Sequence, residues 1–282
     1  MEFFTHAAGS ELGTFALGLV IAGVVGGLVG GMLGVGGGIV IVPVLYHVLD
    51  LMGIDPGVRM HIAVGTSLAT IIPTSFSSTR SHNAKGVVDW ALLRRWVAPM
   101  LVGVLIGSAI SGYVKGQALA LFFACVALPV AIQLAFFGET RRLSDHLPTG
   151  FGGLLLPAGI GGVSTMMGIG GGTVGVPVMT LCGVPIHRAV GTAAGFGTII
   201  SIPGAIGAVI GGWGAAGLPP YSLGYVNLLG FLLIAPVSYF AAPFGAQMAH
   251  NMDRRKLRQM FALFIGITAA RMLYDALGLH WI

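Results

Sequence analysis

Six stretches of this sequence run without an aspartate, glutamate, lysine or arginine: Leu12–Leu49, Met60–Thr79, Trp96–Val114, Gly116–Gly138, His146–His187 and Ala189–Met252. A helix crossing bilayer hydrocarbon needs about 20 predominantly apolar residues, so each interval is one span long or several. Charged residues make up 8% of the chain, against roughly 25% in an ordinary soluble domain. An all-α, polytopic membrane protein with the lipid bilayer as its solvent is therefore expected. The basic excess, 14 residues against 9 acidic, belongs to cytoplasmic loops rather than to a nucleic-acid partner. No basic stretch precedes the first apolar run, so no cleaved signal peptide is expected. Cys125 and Cys182 are too scattered for a disulfide framework or a metal site and read as small core residues. No cofactor and no metal are expected.

Glycine in a helix interior costs about 1 kcal/mol relative to alanine, yet "GMLGVGGGIVIVPVL" at residues 31–45 breaks an apolar segment with five of them. "TMMGIGGGTVGVPVM" at 165–179 repeats the pattern. Gly34, Gly36, Gly37, Gly38 and Pro43 recur as Gly168, Gly170, Gly171, Gly172 and Pro177. A second motif follows each cluster: Ala63-Val64-Gly65-Thr66 is matched by Ala189-Val190-Gly191-Thr192, and "GVVDW" from Gly86 is answered weakly by "GYVNL" from Gly224. The chain thus reads as two homologous halves, residues 12–139 and 149–279, joined by a polar linker, 140–148. Duplicated halves with a binding site where they meet are a plan of secondary transporters.

The expected segments are 13–52, 60–80, 92–113 and 117–138 in the first half, and 149–183, 189–211, 224–249 and 257–279 in the second. If every segment crosses once, basic residues divide seven against seven and give no orientation. If the glycine-broken segments 13–52 and 149–183 are re-entrant hairpins, eleven basic residues share one side. These are Arg80, Lys85, Arg94, Arg95, Arg141, Arg142, Arg188, Arg254, Arg255, Lys256 and Arg258; only Arg59, Lys115 and Arg271 face the other. That asymmetry is what the positive-inside rule expects. Each half then crosses a net three times, so the halves are expected to be inverted repeats, with both termini outside the cytoplasm.

A turn at membrane depth must be buried in protein or line a polar cavity, because hydrocarbon satisfies no backbone group. The second arm of each hairpin begins at the glycines, so a helix N-terminus, with unpaired N–H groups and about half a positive charge, points inward. Glycine lets a ligand approach that backbone closely. Gly36, Gly37, Gly38, Gly170, Gly171 and Gly172 are therefore candidate anion-binding residues, with Gly34, Pro43, Gly168 and Pro177 shaping the turns. Gly26, Gly27, Gly30 and Gly31 in "GLVGGMLG" read instead as helix-packing glycines, so Gly27→Ala is expected to spare transport. Thr66, Ser67, Thr192, Ser164 and Thr165 are candidate hydroxyl donors. Thr66, Thr70 and Thr74 share a helix face, and such hydroxyls donate either to an oxyanion or to the preceding turn of their own helix. Arg271 and Asp275, four apart, are expected to pair. His61 and His187 open equivalent helices and read as interfacial caps rather than proton carriers. "DRRKLR" at 253–258 reads as an anionic-lipid contact.

No phosphate loop ending in Gly-Lys-Ser/Thr, no acidic pair within a span and no His-Glu-x-x-His motif supports catalysis, so an enzyme is not expected. The doubled "GxGGGxxxVP" and "AVGT" motifs, with "GxVDW" after the first pair, resemble the sulfite exporter TauE/SafE family over nearly the whole chain. In the second half Thr173 and Gly175 replace Ile39 and Ile41, and "GYVN" replaces "GVVD". The resemblance implies transport of a sulfur-containing anion such as sulfite, a sulfonate or sulfoacetate, mostly outward through the cell's inner membrane. An anion leaving a cell that is negative inside gains roughly 2.3 kcal/mol per charge per 100 mV, so export needs no coupling ion. The alternatives are an aquaporin-like or anion channel, a proton-coupled importer of the same anions, and a membrane scaffold. The sequence leaves open whether two protomers form a homodimer.

Overall fold

Positive-φ glycines break both apolar segments into helical hairpins with unequal arms. In this computed structural model, residues 9–34, 36–136, 144, 146–251 and 254–277 are described. Val35, the linker residues Arg141 and Arg142, and Asp253 lie outside them, as do the side chains of Arg254, Arg255, Lys256 and Arg258. The helices are α1 (Gly9–Leu33), α2 (Gly38–Leu51), α3 (Pro56–Asn83), α4 (Trp90–Tyr113), α5 (Gly116–Phe136), α6 (Gly150–Met167), α7 (Gly172–Leu181), α8 (Ile186–Gly211), α9 (Leu228–Asn251) and α10 (Arg254–Ala276). Strands β1 (Ser222–Leu223) and β2 (Val226–Asn227) pair antiparallel. That small hairpin takes up the residues ahead of Leu228, so the helix expected from 224 starts later.

The protein is an all-α multi-pass membrane protein. Helices α1, α4, α5, α6, α8 and α9 each hold a stretch long and apolar enough to cross a bilayer. With 25 residues, α1 is about 37 Å long and outspans the hydrocarbon. The returning arms α2 and α7, with 14 and 10 residues, are too short to do so. Leu105 and Ile106 on α4, Ile206 and Ile210 on α8, and Phe240 and Phe244 on α9 are exposed, which makes an apolar belt facing lipid. Cys125 is also exposed and is not a core residue.

Helix α3 is the exception that explains the packing. It carries Thr66, Ser67, Thr70, Thr74, Ser75 and Ser78, all at 0% exposure. Hydroxyls on a lipid face would be stranded, and α3 is instead enclosed by α2, α5, α8 and α9. Thr70 Oγ1 donates to Thr66 O and Thr74 Oγ1 to Thr70 O, at 2.8 and 2.9 Å. That settles two of the threonines on the preceding turn of their own helix.

The contacts repeat between halves. Helix α1 packs on α9 as α6 packs on α4; α3 packs on α9 as α8 packs on α4; and α3 meets α8 while α5 meets α10. The repetition holds at single residues. Gly27 faces Ser238 O as Gly161 faces Met100 O, and Gly245 faces Leu28 O as Gly107 faces Gly162 O. Equivalent helices α3 and α8 run antiparallel, with Gly65 against Ala208, Leu68 against Gly204, and Ser75 against Gly197.

Gly27 and Gly31 press α1 onto the α9 backbone, whereas Gly26 faces Ile41 and Gly30 faces the turn at Gly36 and Gly37. A methyl on Gly27 would sit 2.6 Å from Ser238 O, so Gly27→Ala is expected to cost stability. Ion pairs among the described residues join Arg59 to Asp50 and Arg188 to Asp89; Arg271 and Asp275 do not pair with each other.

Candidate functional site

Each turn is built by glycine and seated on the other half. Gly34, Gly36 and Gly37 have φ of 65°, 73° and 81°, and Gly168 has φ of 67°, values that favour glycine. Gly34 lies against the Val190 carbonyl of the second "AVGT", and Gly168 lies against Val64 of the first. No side chain larger than hydrogen fits at either place. The second turn is otherwise different, since Gly171 is right-handed at φ −58°. Pro43 and Pro177 fall inside α2 and α7 rather than in the turns.

The two turns touch. A Cβ on Gly38 would lie 2.9 Å from Ile169 Cα, and Ser67 Oγ donates to Gly168 O at 2.7 Å. Neither short helix has a side-chain cap. The first bonds closing them run from Val40 N and Ile41 N to Gly37 O, and from Gly175 N to Gly171 O. The N–H groups ahead of these are the orphan donors of a helix start, and the ends of both helix dipoles coincide with them.

Thr66 and Thr192 do corresponding work in the two halves. Thr66 Oγ1 accepts from Asn227 N, and Thr192 Oγ1 accepts from Asp89 N, both at 2.9 Å. Asn227 Oδ1 then caps α9 by accepting from Gly230 N, and Asp89 Oδ1 caps α4 by accepting from Leu92 N. The weak match between "GVVD" and "GYVN" is therefore a real equivalence: both residues start a helix and hang from the threonine of the other half. Asp89 Oδ2 adds a 2.9 Å pair with Arg188, which neutral Asn227 lacks. Thr165 Oγ1 donates to Gly161 O.

Ser164 Oγ is buried and has no hydrogen-bond partner. The same holds for Ser78 and Ser201, which the sequence offers among the hydroxyls of the spans, and for Ser75 and Thr173, which it does not single out as site candidates. Thr173 is the second residue of α7, and Ser75 Oγ faces Gly36 and Gly197. The register that matches the "AVGT" motifs also pairs Ser75 with Ser201, a signal available in the sequence. An unpaired buried hydroxyl costs about 1–3 kcal/mol, and Ser75, beside Gly36, and Thr173, in the first turn of α7, carry that cost at the two uncapped helix starts.

Thr165 also lines a small, partly open cleft bounded by His61, Val64 and Leu68 of α3, Ser108, Ser111 and Gly112 of α4, Gly204, Gly207, Ala208 and Gly211 of α8, and Tyr225. It leads from the start of α3 toward the second turn.

The sequence profile described as sulfite exporter TauE/SafE matches residues 19–272. A probable membrane transporter protein of Haemophilus influenzae is 32% identical over 92% of this chain and 98% of its own. Another from Methanocaldococcus jannaschii is 26% identical, covering 90% and 94% of the two chains. A third, from Bacillus subtilis, is 25% identical, covering 92% and 97%. No solved structure matches.

Proposed function

The chain belongs to the sulfite exporter TauE/SafE family, and on that premise we propose a secondary transporter that exports a sulfur-containing anion, such as sulfite, sulfoacetate or a related sulfonate, across the cytoplasmic membrane. The anion is held where the two glycine turns meet. One observation carries this reading: two uncapped helix starts converge beside buried hydroxyls that have no partner. Backbone amides and hydroxyls bind an oxyanion without the desolvation cost of a buried cation, and glycine permits the approach. Ser75, Ser164, Thr173 and Ser201 supply the side-chain donors. Thr66, Thr192 and Ser67 position the turns and the helices beside them.

Antiparallel α3 and α8, with repeated contacts elsewhere, support an inverted arrangement of the halves in the bilayer. With the basic residues on the cytoplasmic side, as the positive-inside rule favours, both termini face outward. Movement of the guest is electrogenic, driven outward by the membrane potential. Flux of sulfite and sulfoacetate into proteoliposomes tests this. Flux should follow an imposed potential and be abolished by Gly37→Val and by Gly171→Val, whose added Cβ would meet Phe196 Cβ at 2.6 Å. Flux that ignores the potential, or that survives in both folded variants, overturns the reading.

A further inference from the structure

The cleft beside Thr165 contains a polar group for which the turns offer no explanation. His61 is 6% exposed. Its Nε2 lies 3.1 and 3.0 Å from Ser111 O and Val114 O. Carbonyls only accept, so Nε2 carries the proton in both charge states of the ring, and Nδ1 is the atom that gains or loses one. Nδ1 is buried and has no partner, and neither has Ser108 Oγ on the opposite wall. Opposite Ser108 stands Gly207, where a Cβ would come within 2.7 Å of that oxygen; the missing side chain makes the recess. Tyr225 stacks on the imidazole at 4.7 Å and lines the same cleft.

We propose that this cleft is a second anion site, in which a small oxyanion is held by Nδ1–H of protonated His61 and by the Ser108 hydroxyl. The proposal deepens the transport reading, since the cleft lies between the outer surface and the second turn. A neutral His61 would present a lone pair to the anion, so occupancy is linked to uptake of one proton at Nδ1. Tyr225 faces the ring from the β hairpin. Lys115 follows Val114 on the α4–α5 connection, and Arg59 on α3 is held by Asp50 and Ile54 O. Among the described residues, α4 and α8 present no ionisable side chain to the cleft.

The test uses methanesulfonate, whose own charge is constant through the histidine range. Calorimetric titration of the purified protein should give binding that tightens as pH falls, with proton uptake revealed by buffers of different ionisation enthalpy. His61→Gln keeps an N–H donor for the α4 carbonyls and should bind weakly with no pH dependence. Gly207→Ala, which fills the recess, should weaken binding while leaving His61 in place. Binding with unchanged pH dependence in His61→Gln overturns the proposal. If Gly171→Val still abolishes flux in that case, the transport reading stands without the cleft site.

A separate observation concerns the opposite end of α3. The register pairing the "AVGT" motifs places Ala208 and Gly211 of the cleft in correspondence with His82 and Lys85. There the space is filled: His82 Nε2 bonds Gly31 O at 2.9 Å, and Lys85 Nζ donates to Ala246 O at 2.7 Å. Gly31 and Ala246 are themselves the counterparts of Thr165 and Ser108. We infer that His82 and Lys85 are the inner gate of an alternating cycle, shut in this conformation while the outer cleft is open. In a protein with Cys125 and Cys182 replaced by serine, Ser81→Cys should be poorly labelled by a membrane-impermeant maleimide from the cytoplasmic side. Adding His82→Ala and Lys85→Gly, the residues of the open half, should raise labelling at least severalfold. Unchanged labelling in a variant that remains folded by near-UV circular dichroism overturns the gate.

Discussion

Gly27→Ala puts a number on the seam between α1 and α9. The added Cβ would stand 2.6 Å from Ser238 O and 2.8 Å from Ser238 Cα, where ordinary contact begins at 3.4 Å. Moving from 2.6 to 3.4 Å parts the helices by about 0.8 Å at that level. One turn earlier, Ser238 Oγ donates to Gly23 O at 2.8 Å, a bond that such a shift would stretch beyond useful length. Overpacking of this kind costs about 1–3 kcal/mol, and the strained hydrogen bond about 1 more. Alanine returns about 1 kcal/mol through helix propensity. The net loss of about 1–3 kcal/mol corresponds to a fall in Tm of roughly 2–12 °C for a chain of this size. The matched control is Gly18→Ala on the same helix, where a Cβ meets nothing within 4 Å; its Tm should hold or rise. Thermal unfolding of both variants in detergent decides the matter, with flux normalised to folded protein. An unchanged Tm in Gly27→Ala would refute the seam, and flux lost beyond the folded fraction would refute its purely structural role.

Thr192→Val should destabilise by about 1–3 kcal/mol by stranding Asp89 N–H, and Thr192→Ser should restore most of it; Tm values of the two variants check this. Asp89→Asn installs what the second half already has at Asn227. It keeps the cap and removes only a partly exposed ion pair, so the loss should stay below about 1 kcal/mol and vanish in high salt, whereas Asp89→Ala should lose the cap as well. Gly197→Ala drives a methyl into Ser75 and should depress the flux of folded protein, while Gly159→Ala, with nothing within 4 Å, should leave it intact.

Solvent, helical architecture and family were legible in the sequence because each rests on a long-range regularity: charge-free length, a repeat at constant spacing, paired motifs. The repeat marked Gly34 and Gly168 as equivalent turn residues, but their left-handed backbone became visible only in the structure. What the two threonines touch was not. The spacing marks Thr66 and Thr192 as equivalent, but nothing local says that each grips a helix start of the opposite half. Ser75 and Thr173 were hidden among other hydroxyls, because only a buried environment turns such a group into an unpaired donor. Gly27 and Gly37 were told apart by the duplicated triplet, but which backbone Gly27 presses on, that of Ser238, only the packing reveals.

The crossed grip of each half on the other has a consequence for biosynthesis. Thr66 finds its partner Asn227 161 residues later, and Ser67 waits 101 residues for Gly168. At about 5–20 residues per second of synthesis, the first half sits in the membrane for roughly 8–32 seconds with its hydroxyl-rich helix uncovered. A chain cut at the linker should therefore mature only when both pieces are made together.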